Sequence, residues 1–227
     1  MNFLKYCEDK LKDPENRKII ISNLQSIQET LEGGSCFDTS LRPGKATGFV
    51  INLLQSYFDL MNKKFDSYLE VGVLYGGSLC SLYQSGFKGT AYGLDIYEGY
   101  YGDWERPIAK SLKQDSNNHM DLVSNNADKF GGIPILIKCN TQQDDFNSLV
   151  SRKIDKLDVL LIDGDHSYNG AISDYQKLFP YLKSGGILLM DNYEMPGVTQ
   201  SCKEIEKINS TEVLGTWNKT CWMAIKK

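Results

Sequence analysis

The sequence lacks several features that would each indicate a particular class of protein. Positive charge is not in excess, because 25 Lys and Arg residues stand against 29 Asp and Glu residues, for a formal net charge of −4. This balance argues against a nucleic-acid backbone as the main partner, since nucleic-acid-binding proteins usually present a basic face. No apolar run is long enough to span a bilayer, and the charged amino terminus lacks the apolar segment of a signal peptide. We therefore expect a cytoplasmic protein with no nucleic-acid and no membrane partner.

Cysteine pairs at metal-binding or redox spacing are also missing. The six cysteines are scattered, and no two of them form a C-x-x-C motif. That motif is typical of structural zinc sites and redox dithiols, and disulfides are rare in a reducing cytosol. We therefore expect free thiols packed as small apolar groups, namely Cys7, Cys36, Cys80, Cys139, Cys202 and Cys221.

The second part of the chain instead alternates short apolar runs with helical stretches. Near-continuous apolar strands separated by helices predict a parallel sheet covered on both faces, and two final strands joined by "NK" predict a closing antiparallel hairpin. The predicted fold is a Rossmann-like three-layer α/β sandwich with a seven-stranded, mostly parallel sheet. The predicted strands are 67–73, 90–96, 134–139, 157–163, 186–192, 211–217 and 220–226, and the helices between them are 77–86, 107–130, 142–152, 169–183 and 197–209.

The first part of the chain is predicted to be helical. Asp13 followed by Pro14 is a typical helix start, and Gly33 with Gly34 is a typical stop. A second helix is predicted for FVINLLQSYFDLMNKKF. We expect residues 1–66 to form a helical N-terminal extension that contributes cap, substrate or dimer contacts. These helices would suit the interface of a homodimer, although the sequence does not fix the oligomeric state. Residues 67–227 then form the domain that carries the ligand site.

The end of the first predicted strand has the composition of a nucleotide-like binding turn. Glycines let a ligand approach the backbone, and the following helix directs its N–H groups toward it. Asp95, at the end of the second strand, can accept hydrogen bonds from both hydroxyls of a ribose. Leu74 occupies the second glycine position of G-x-G-x-x-G, which argues against a dinucleotide. The alternative is a plain strand-to-helix turn. The residues that would bind an adenosine-type ligand are Glu70, Gly72, Gly76, Gly77, Ser78 and Asp95.

Polar side chains also end the fourth and fifth predicted strands, in LLIDGDHSY and GGILLMDNY. Neighbouring parallel strands would bring Asp163, Asp191 and Asn192 to one edge of the cleft. Two carboxylates and one amide oxygen suit Mg²⁺ or another hard divalent cation. The alternatives are an acid that binds no metal and a common Asp-Asn turn.

The pattern Glu70-x-Gly72-x-x-x-Gly76-x-Ser78-Leu79 resembles the first motif of class I S-adenosylmethionine-dependent methyltransferases. It is similar to the metal-dependent O-methyltransferases of the catechol and caffeoyl-CoA type and to bacterial sugar and macrolide O-methyltransferases. The resemblance implies that S-adenosyl-L-methionine is the cofactor and that Asp163, which also lies beside the cofactor, holds a metal with Asp191 and Asn192. It also implies that Thr141 and Gln142 read the adenine edge, although a helix N-cap is an equal alternative for these two.

Two residues are candidates for the base that would activate the acceptor. His166 stands where the catechol and caffeoyl-CoA enzymes have a lysine, and its pKa suits proton removal at neutral pH. Asp165 belongs to a D-G-D stretch similar to that of the sugar-modifying enzymes, but it would also suit a helix cap. His119, in the polar stretch QDSNNHMDL, is expected to be a solvated helix residue.

The resulting prediction is a metal-assisted O-methyltransferase that acts on a hydroxyl of a small molecule, such as a sugar or a natural product. An NAD-linked oxidoreductase and a non-catalytic S-adenosylmethionine-binding protein are the alternatives. An aromatic segment could form a wall over the ligand or pack on its own side chains, and it contains Tyr97, Tyr100, Tyr101 and Trp104. Two cationic residues of the N-terminal part could contact an acidic acceptor, namely Arg42 and Lys45.

Overall fold

A computed structural model describes residues 1–31, 47–98, 116–143 and 154–227. Within these ranges the strands form a single seven-stranded sheet. The strands are β1 Ser67–Val71, β2 Thr90–Asp95, β3 Ile135–Lys138, β4 Leu157–Ile162, β5 Leu182–Met190, β6 Thr211–Trp217 and β7 Cys221–Lys226. Their order in the sheet is β3-β2-β1-β4-β5-β7-β6. Strands β1 to β5 pair in parallel, whereas β7 is antiparallel to both β5 and β6, so the predicted fold is confirmed.

Helices cover both faces of this sheet. One face packs against the four helices that precede β1 and the helices that follow β1 and β2, and the opposite face packs against the helices that follow β4 and β5. None of the described helices is long and apolar enough to cross a membrane. The helices are α1 Phe3–Lys12, α2 Pro14–Thr30, α3 Thr47–Asn52, α4 Leu54–Leu60, α5 Gly77–Gln84, α6 Ser116–Asp128, α7 Tyr168–Leu178 and α8 Pro196–Ile205, with a 3₁₀ turn at Phe179–Tyr181.

The helix boundaries test several of the sequence predictions. Asp13 caps α2 as predicted, because its side chain accepts hydrogen bonds from the backbone N–H groups of Glu15 and Asn16. The prediction of a single helix over 49–65 is wrong, because the helix is interrupted at Leu53 and forms the two helices α3 and α4. Residues 107–115 of one predicted helix, most of the predicted helix at 142–152, and the Gly33-Gly34 stop lie outside the described residues.

The N-terminal helices are part of the same hydrophobic core as the sheet. Phe3 of α1 and Ile27 of α2 are fully buried in the cluster that contains Tyr68 of β1 and Leu189 of β5. The boundary of the extension at residue 66 stays a prediction. The expectation of free thiols is confirmed for the five cysteines within the described ranges, all of them buried, whereas Cys36 lies outside.

The buried carboxylate of Asp158 links the starts of two central strands, β1 and β4. Asp158 of β4 accepts hydrogen bonds from the backbone N–H groups of Asp66 and Ser67, at 2.9 and 3.0 Å, and from the Ser67 hydroxyl at 3.0 Å. Its other oxygen accepts a 2.7 Å hydrogen bond from the half-exposed Lys183 ammonium. This carboxylate therefore satisfies backbone donors at the amino end of β1.

Replacing Asp158 with alanine should lower the free energy of unfolding by about 2–3 kcal/mol, because buried N–H donors lose their acceptor. Replacing Lys183 with alanine, the matched control, should lower it by about 1 kcal/mol or less, because its ion pair is open to solvent. Urea titrations of the two variants and the native protein measure both values. Equal losses in the two variants would contradict this account of the contact.

Candidate active site

The register of the sheet aligns the predicted site residues in one row. Val71 pairs with both Leu94 and Ile162, and Ile162 pairs with Met190. The residue after each of these is either the last residue of its strand or the first residue beyond it. Because adjacent strands are about 4.8 Å apart, these four residues are close neighbours at one edge of the sheet. Across the sheet they are Asp95, Gly72, Asp163 and Asp191.

Backbone contacts hold Gly72, Asp163 and Asp191 of this row next to one another. The Asp163 N–H donates to the Val71 carbonyl at 3.0 Å, and the Asp191 N–H donates to the Ile162 carbonyl at 3.1 Å. Gly72, with φ +84°, passes so close to the loop after β4 that a Cβ would stand 2.0 Å from the Asp163 carbonyl oxygen. Only glycine fits there, and the turn after β1 therefore lies directly against the acidic end of β4.

His166 faces the first acid of that loop. Its Nε2 lies 3.2 Å from Asp163 Oδ1, and both side chains are partly exposed. The hydrogen bond and the negative charge of Asp163 raise the pKa of the imidazole. The structure therefore brings a basic histidine and its carboxylate partner together at the tip of β4.

Asp165 points away from this pair, toward the start of α7. Its two oxygens accept hydrogen bonds from the backbone N–H and the hydroxyl of Ser167, at 2.9 and 3.0 Å. Ser167 is the N-cap of α7 and accepts from the Gly170 N–H at 3.0 Å. The cap that was considered for Asp165 is therefore provided by Ser167, and Asp165 holds this N-cap residue in place.

Asp191 receives a partner from the N-terminal part of the chain. The hydroxyl of Thr47, the first residue of α3, donates to Asp191 Oδ1. Burial and the negative charge of nearby Asp163 raise the pKa of Asp191 to about 8. Sequence reasoning did not identify Thr47, because nothing near it in the sequence shows that its partner lies 144 positions away.

Asn192 follows Asp191 in a left-handed conformation, with φ +53°. Two carboxylates and one amide are thus present at the predicted metal site, at the tips of β4 and β5. Within the described ranges, no group of three or more His, Cys, Asp or Glu side chains is arranged to hold a metal ion. The metal role of Asp163, Asp191 and Asn192 therefore stays a prediction.

Glu70 and the helix start lie on either side of the glycine turn. Glu70 is fully buried in β1, accepts a 2.8 Å hydrogen bond from the Tyr68 hydroxyl, and has a pKa that burial raises well above the ordinary range. Its other oxygen has no hydrogen-bond partner among the described residues. Gly76, with φ +80°, is the N-cap of α5, Gly77 is its first residue, and the half-buried Ser78 follows.

Asp95 is occupied by the backbone around it. One oxygen accepts from the N–H groups of Val73 and Leu74, at 2.7 and 3.1 Å, and the other accepts from the Tyr97 N–H at 3.0 Å. The carboxylate therefore shapes the turn after β1. Its predicted contact with a ribose stays a prediction.

Thr141 and Gln142 face α7. Gln142 Nε2 donates to Asp174 Oδ1 at 3.0 Å, and Lys177 Nζ donates to the Thr141 carbonyl. Asp174 is fully buried, and burial raises its pKa to about 6. The polar groups of this turn are thus held by the helix that follows β4, and their contact with adenine stays a prediction.

His119 corrects one of the sequence predictions. It was expected to be solvated, yet it is fully buried, and its Nε2 lies 2.7 Å from the Leu74 carbonyl oxygen. Its ring also packs edge-on against Tyr97 at 5.4 Å. A signal was present in the helical spacing, because Val123 and Ala127 follow at positions that share a face with His119 and are themselves fully buried.

Two predicted substrate elements lie outside the described residues. They are the cationic pair Arg42 and Lys45 and the aromatic residues Tyr100, Tyr101 and Trp104. Tyr97 is described, and it is fully buried with its hydroxyl bonded to the Gly93 carbonyl at 3.0 Å.

Comparisons with known proteins agree with this architecture. A family model described as a methyltransferase domain matches residues 69–193. Protein R132 of Acanthamoeba polyphaga mimivirus, described as uncharacterized, is 22% identical over 202 residues, covering 86% of this chain and 80% of that protein. The O-methyltransferase NovP aligns with a TM-score of 0.57 at 17% identity, covering 78% of each chain. The MycE methyltransferase of mycinamycin biosynthesis, in complex with Mg, SAH and mycinamycin VI, aligns with a TM-score of 0.53 at 15% identity, covering 90% of this chain and 54% of that one. At these identities the two structures establish the fold.

The raised pKa of Asp191 predicts a specific dependence of stability on pH. A carboxyl whose pKa rises from about 3.9 in the unfolded chain to about 8 in the folded protein stabilises the fold at low pH. That contribution is lost as the pH rises between these two values. The variant Asp191→Asn should therefore gain stability relative to the native protein as the pH is raised from 5 to 8.

Urea unfolding in EDTA at several pH values measures this difference. Glu212→Gln, which neutralises an exposed carboxylate on β6, is the control and should follow the native curve. If the Asp191→Asn variant and the native protein lose stability in parallel over this range, the explanation of the Asp191 pKa is wrong.

Proposed function

Because the chain belongs to the family of methyltransferase domains, we propose that it transfers a methyl group from S-adenosylmethionine to a hydroxyl of a small molecule. The match over residues 69–193 bears out the class I methyltransferase resemblance of the sequence. An NAD-linked oxidoreductase is therefore not proposed. The oxygen-directed chemistry, the acceptor and the metal are our inferences from the site.

The observation that carries the proposal is a base beside the cofactor turn. The His166–Asp163 pair, at 3.2 Å, belongs to the loop whose backbone touches Gly72. A sulfonium methyl is already an electrophile, so the enzyme must supply a nucleophilic oxygen. An alcohol is protonated at neutral pH, and a base within hydrogen-bond reach makes its oxygen reactive. The position of His166 supports this role.

The proposed reaction moves one proton and one methyl group. With Nε2–H directed to Asp163, the other ring nitrogen of His166 can accept the proton of the acceptor hydroxyl. The acceptor oxygen then forms a bond to the methyl carbon while the sulfur–methyl bond breaks, which leaves S-adenosylhomocysteine. Asp163 stabilises the imidazolium that forms, as a carboxylate beside a catalytic histidine does in other enzymes. Asp165 is the weaker candidate for the base because both of its oxygens bond to Ser167.

A divalent cation is the second part of the proposal. Asp163 and Asp191 lie next to each other in one row, and the negative charge of Asp163 raises the pKa of Asp191. A cation would relieve this repulsion, and the all-oxygen set of Asp163, Asp191 and Asn192 suits Mg²⁺. When bound, it would lower the pKa of a hydroxyl and fix its direction. The MycE complex, which contains Mg and mycinamycin VI, is of a protein with the same fold. We propose a sugar or natural-product hydroxyl as the acceptor.

Replacing His166 with glutamine should lower kcat by about 10²–10⁴-fold, because proton removal from the acceptor is lost. Asp165→Asn is the matched neighbour and should keep kcat within about threefold, since an amide oxygen can still accept the hydrogen bond from the Ser167 N–H. Transfer of labelled methyl from S-adenosylmethionine to a panel of hydroxylated sugars and natural products measures both values.

Cofactor binding provides the control for this experiment. S-adenosylhomocysteine should raise the melting temperature of the native protein and of both variants, whereas NAD should not. Stabilisation by NAD alone would contradict the proposed function. A large loss of kcat in Asp165→Asn with none in His166→Gln would exchange the roles of the two residues.

Metal dependence predicts a separate pair of results. Adding Mg²⁺ at pH 8 should raise the melting temperature of the native protein and of the Glu212→Gln control but not of Asp191→Asn. EDTA should reduce methyl transfer, and Mg²⁺ should restore it. Transfer that is indifferent to EDTA, with no thermal shift on adding Mg²⁺, would remove the metal and leave the methyltransferase.

A further inference from the structure

The turn between β1 and α5 has an unfavourable backbone conformation at a residue that is not glycine. Leu74 has φ +48°, between Gly72 at +84° and Gly76 at +80°. A leucine in the left-handed region is energetically unfavourable, and such residues persist only where their surroundings hold them. The contacts that hold Leu74 therefore determine the shape of the turn.

Buried side chains from two elements bind the backbone on both sides of Leu74. From β2, Asp95 accepts from the Val73 and Leu74 N–H groups. From α6, His119 Nε2 lies 2.7 Å from the Leu74 carbonyl oxygen, and Asn126 Nδ2 donates to the Tyr75 carbonyl at 3.0 Å. A carbonyl oxygen only accepts, so Nε2 of His119 carries the hydrogen of this bond.

Helix α6 also contacts the turn directly by packing. A Cβ on Gly76 would stand 3.0 Å from Val123 Cγ1. Val123 lies on the same face of α6 as His119 and Asn126, and all three are fully buried. One face of a helix that is distant in sequence is therefore built around this turn.

We propose that His119 and Asn126 are positioning residues that hold the turn in the conformation that accepts S-adenosylmethionine. This inference rests on the proposed function, because it assigns the turn to the cofactor. The two side chains bind backbone carbonyl groups of the turn, whereas Asp95 binds its backbone N–H groups. Neither residue touches the reacting atoms, so their effect is on cofactor affinity rather than on methyl transfer itself.

The physical consequence of removing either donor follows from the strain at Leu74. A buried carbonyl that loses its donor is unfavourable, and the turn can regain a partner by changing conformation. If the binding-competent turn is then populated only part of the time, the apparent dissociation constant rises by the inverse of that fraction. A simple packing role would need the volume of His119 but not its N–H.

Two substitutions of equal size at position 119 separate these roles. His119→Gln keeps an N–H donor near the position of Nε2, whereas His119→Met has a similar volume and no donor. His119→Met should raise the Kd for S-adenosylhomocysteine and the KM for S-adenosylmethionine about five- to tenfold, with kcat within about twofold of native. His119→Gln should restore most of the affinity. Calorimetric titration and steady-state kinetics measure these quantities.

Position 126 offers an independent test should the His119 variants fail to fold. Asn126→Asp removes the donor to the Tyr75 carbonyl, and Asn125→Asp makes the same change at an exposed residue of the same helix. Only Asn126→Asp should weaken binding of S-adenosylhomocysteine. Hydrogen exchange should also be faster at the amides of residues 73–76 in His119→Met or Asn126→Asp, and unchanged in β4.

The outcomes distinguish this inference from the function on which it rests. If the native protein does not bind S-adenosylhomocysteine, the proposed function itself fails. If the native protein binds it and both His119→Met and Asn126→Asp bind it equally well, the positioning role is wrong. Equal losses in His119→Met and His119→Gln would likewise overturn it, because volume rather than hydrogen bonding would then matter.

Discussion

The strand register at the carboxyl edge of the sheet is the constraint on which the rest of the site depends. It brings Asp95, Gly72, Asp163 and Asp191 into one row across four parallel strands. Three carboxylates at this spacing repel one another, and each has a different partner. Backbone N–H groups bind Asp95, His166 faces Asp163, and Thr47 donates to Asp191. These partners give chemically similar acids different roles: shaping the turn and, as we propose, orienting a base and holding a cation.

The glycine in that row makes the arrangement possible. Gly72 is the one residue of the four without a side chain, and the loop after β4 occupies the space that a Cβ would need. The turn after β1 and the loop carrying His166 therefore touch through their backbones. In the proposed function, a methyl donor bound at this turn lies beside His166, the proximity that transfer to an activated oxygen requires.

Both the turn after β1 and the carboxylate of Asp191 are bound by helices that are distant in sequence. Helix α6 supplies His119 and Asn126 to the turn, and α3 supplies Thr47 to Asp191. The sheet edge alone would leave the Leu74 strain and the Asp191 charge uncompensated. The helical layer on this face is therefore part of the site as well as of the core.

The sequence by itself determined the strands, their order along the chain and the residues at their tips, because apolar runs, glycine turns and strand-end acids are local patterns. Glycine spacing was enough to indicate the family, and Asp13-Pro14 was enough to start α2. Only the tertiary structure decided that His119 is buried against Leu74 and that Thr47 reaches Asp191. Each of these depends on a hydrogen bond between side chain and partner that only the final packing directs. Burial and pairing of a polar group are set by what the folded chain places against it, and local sequence does not contain that information.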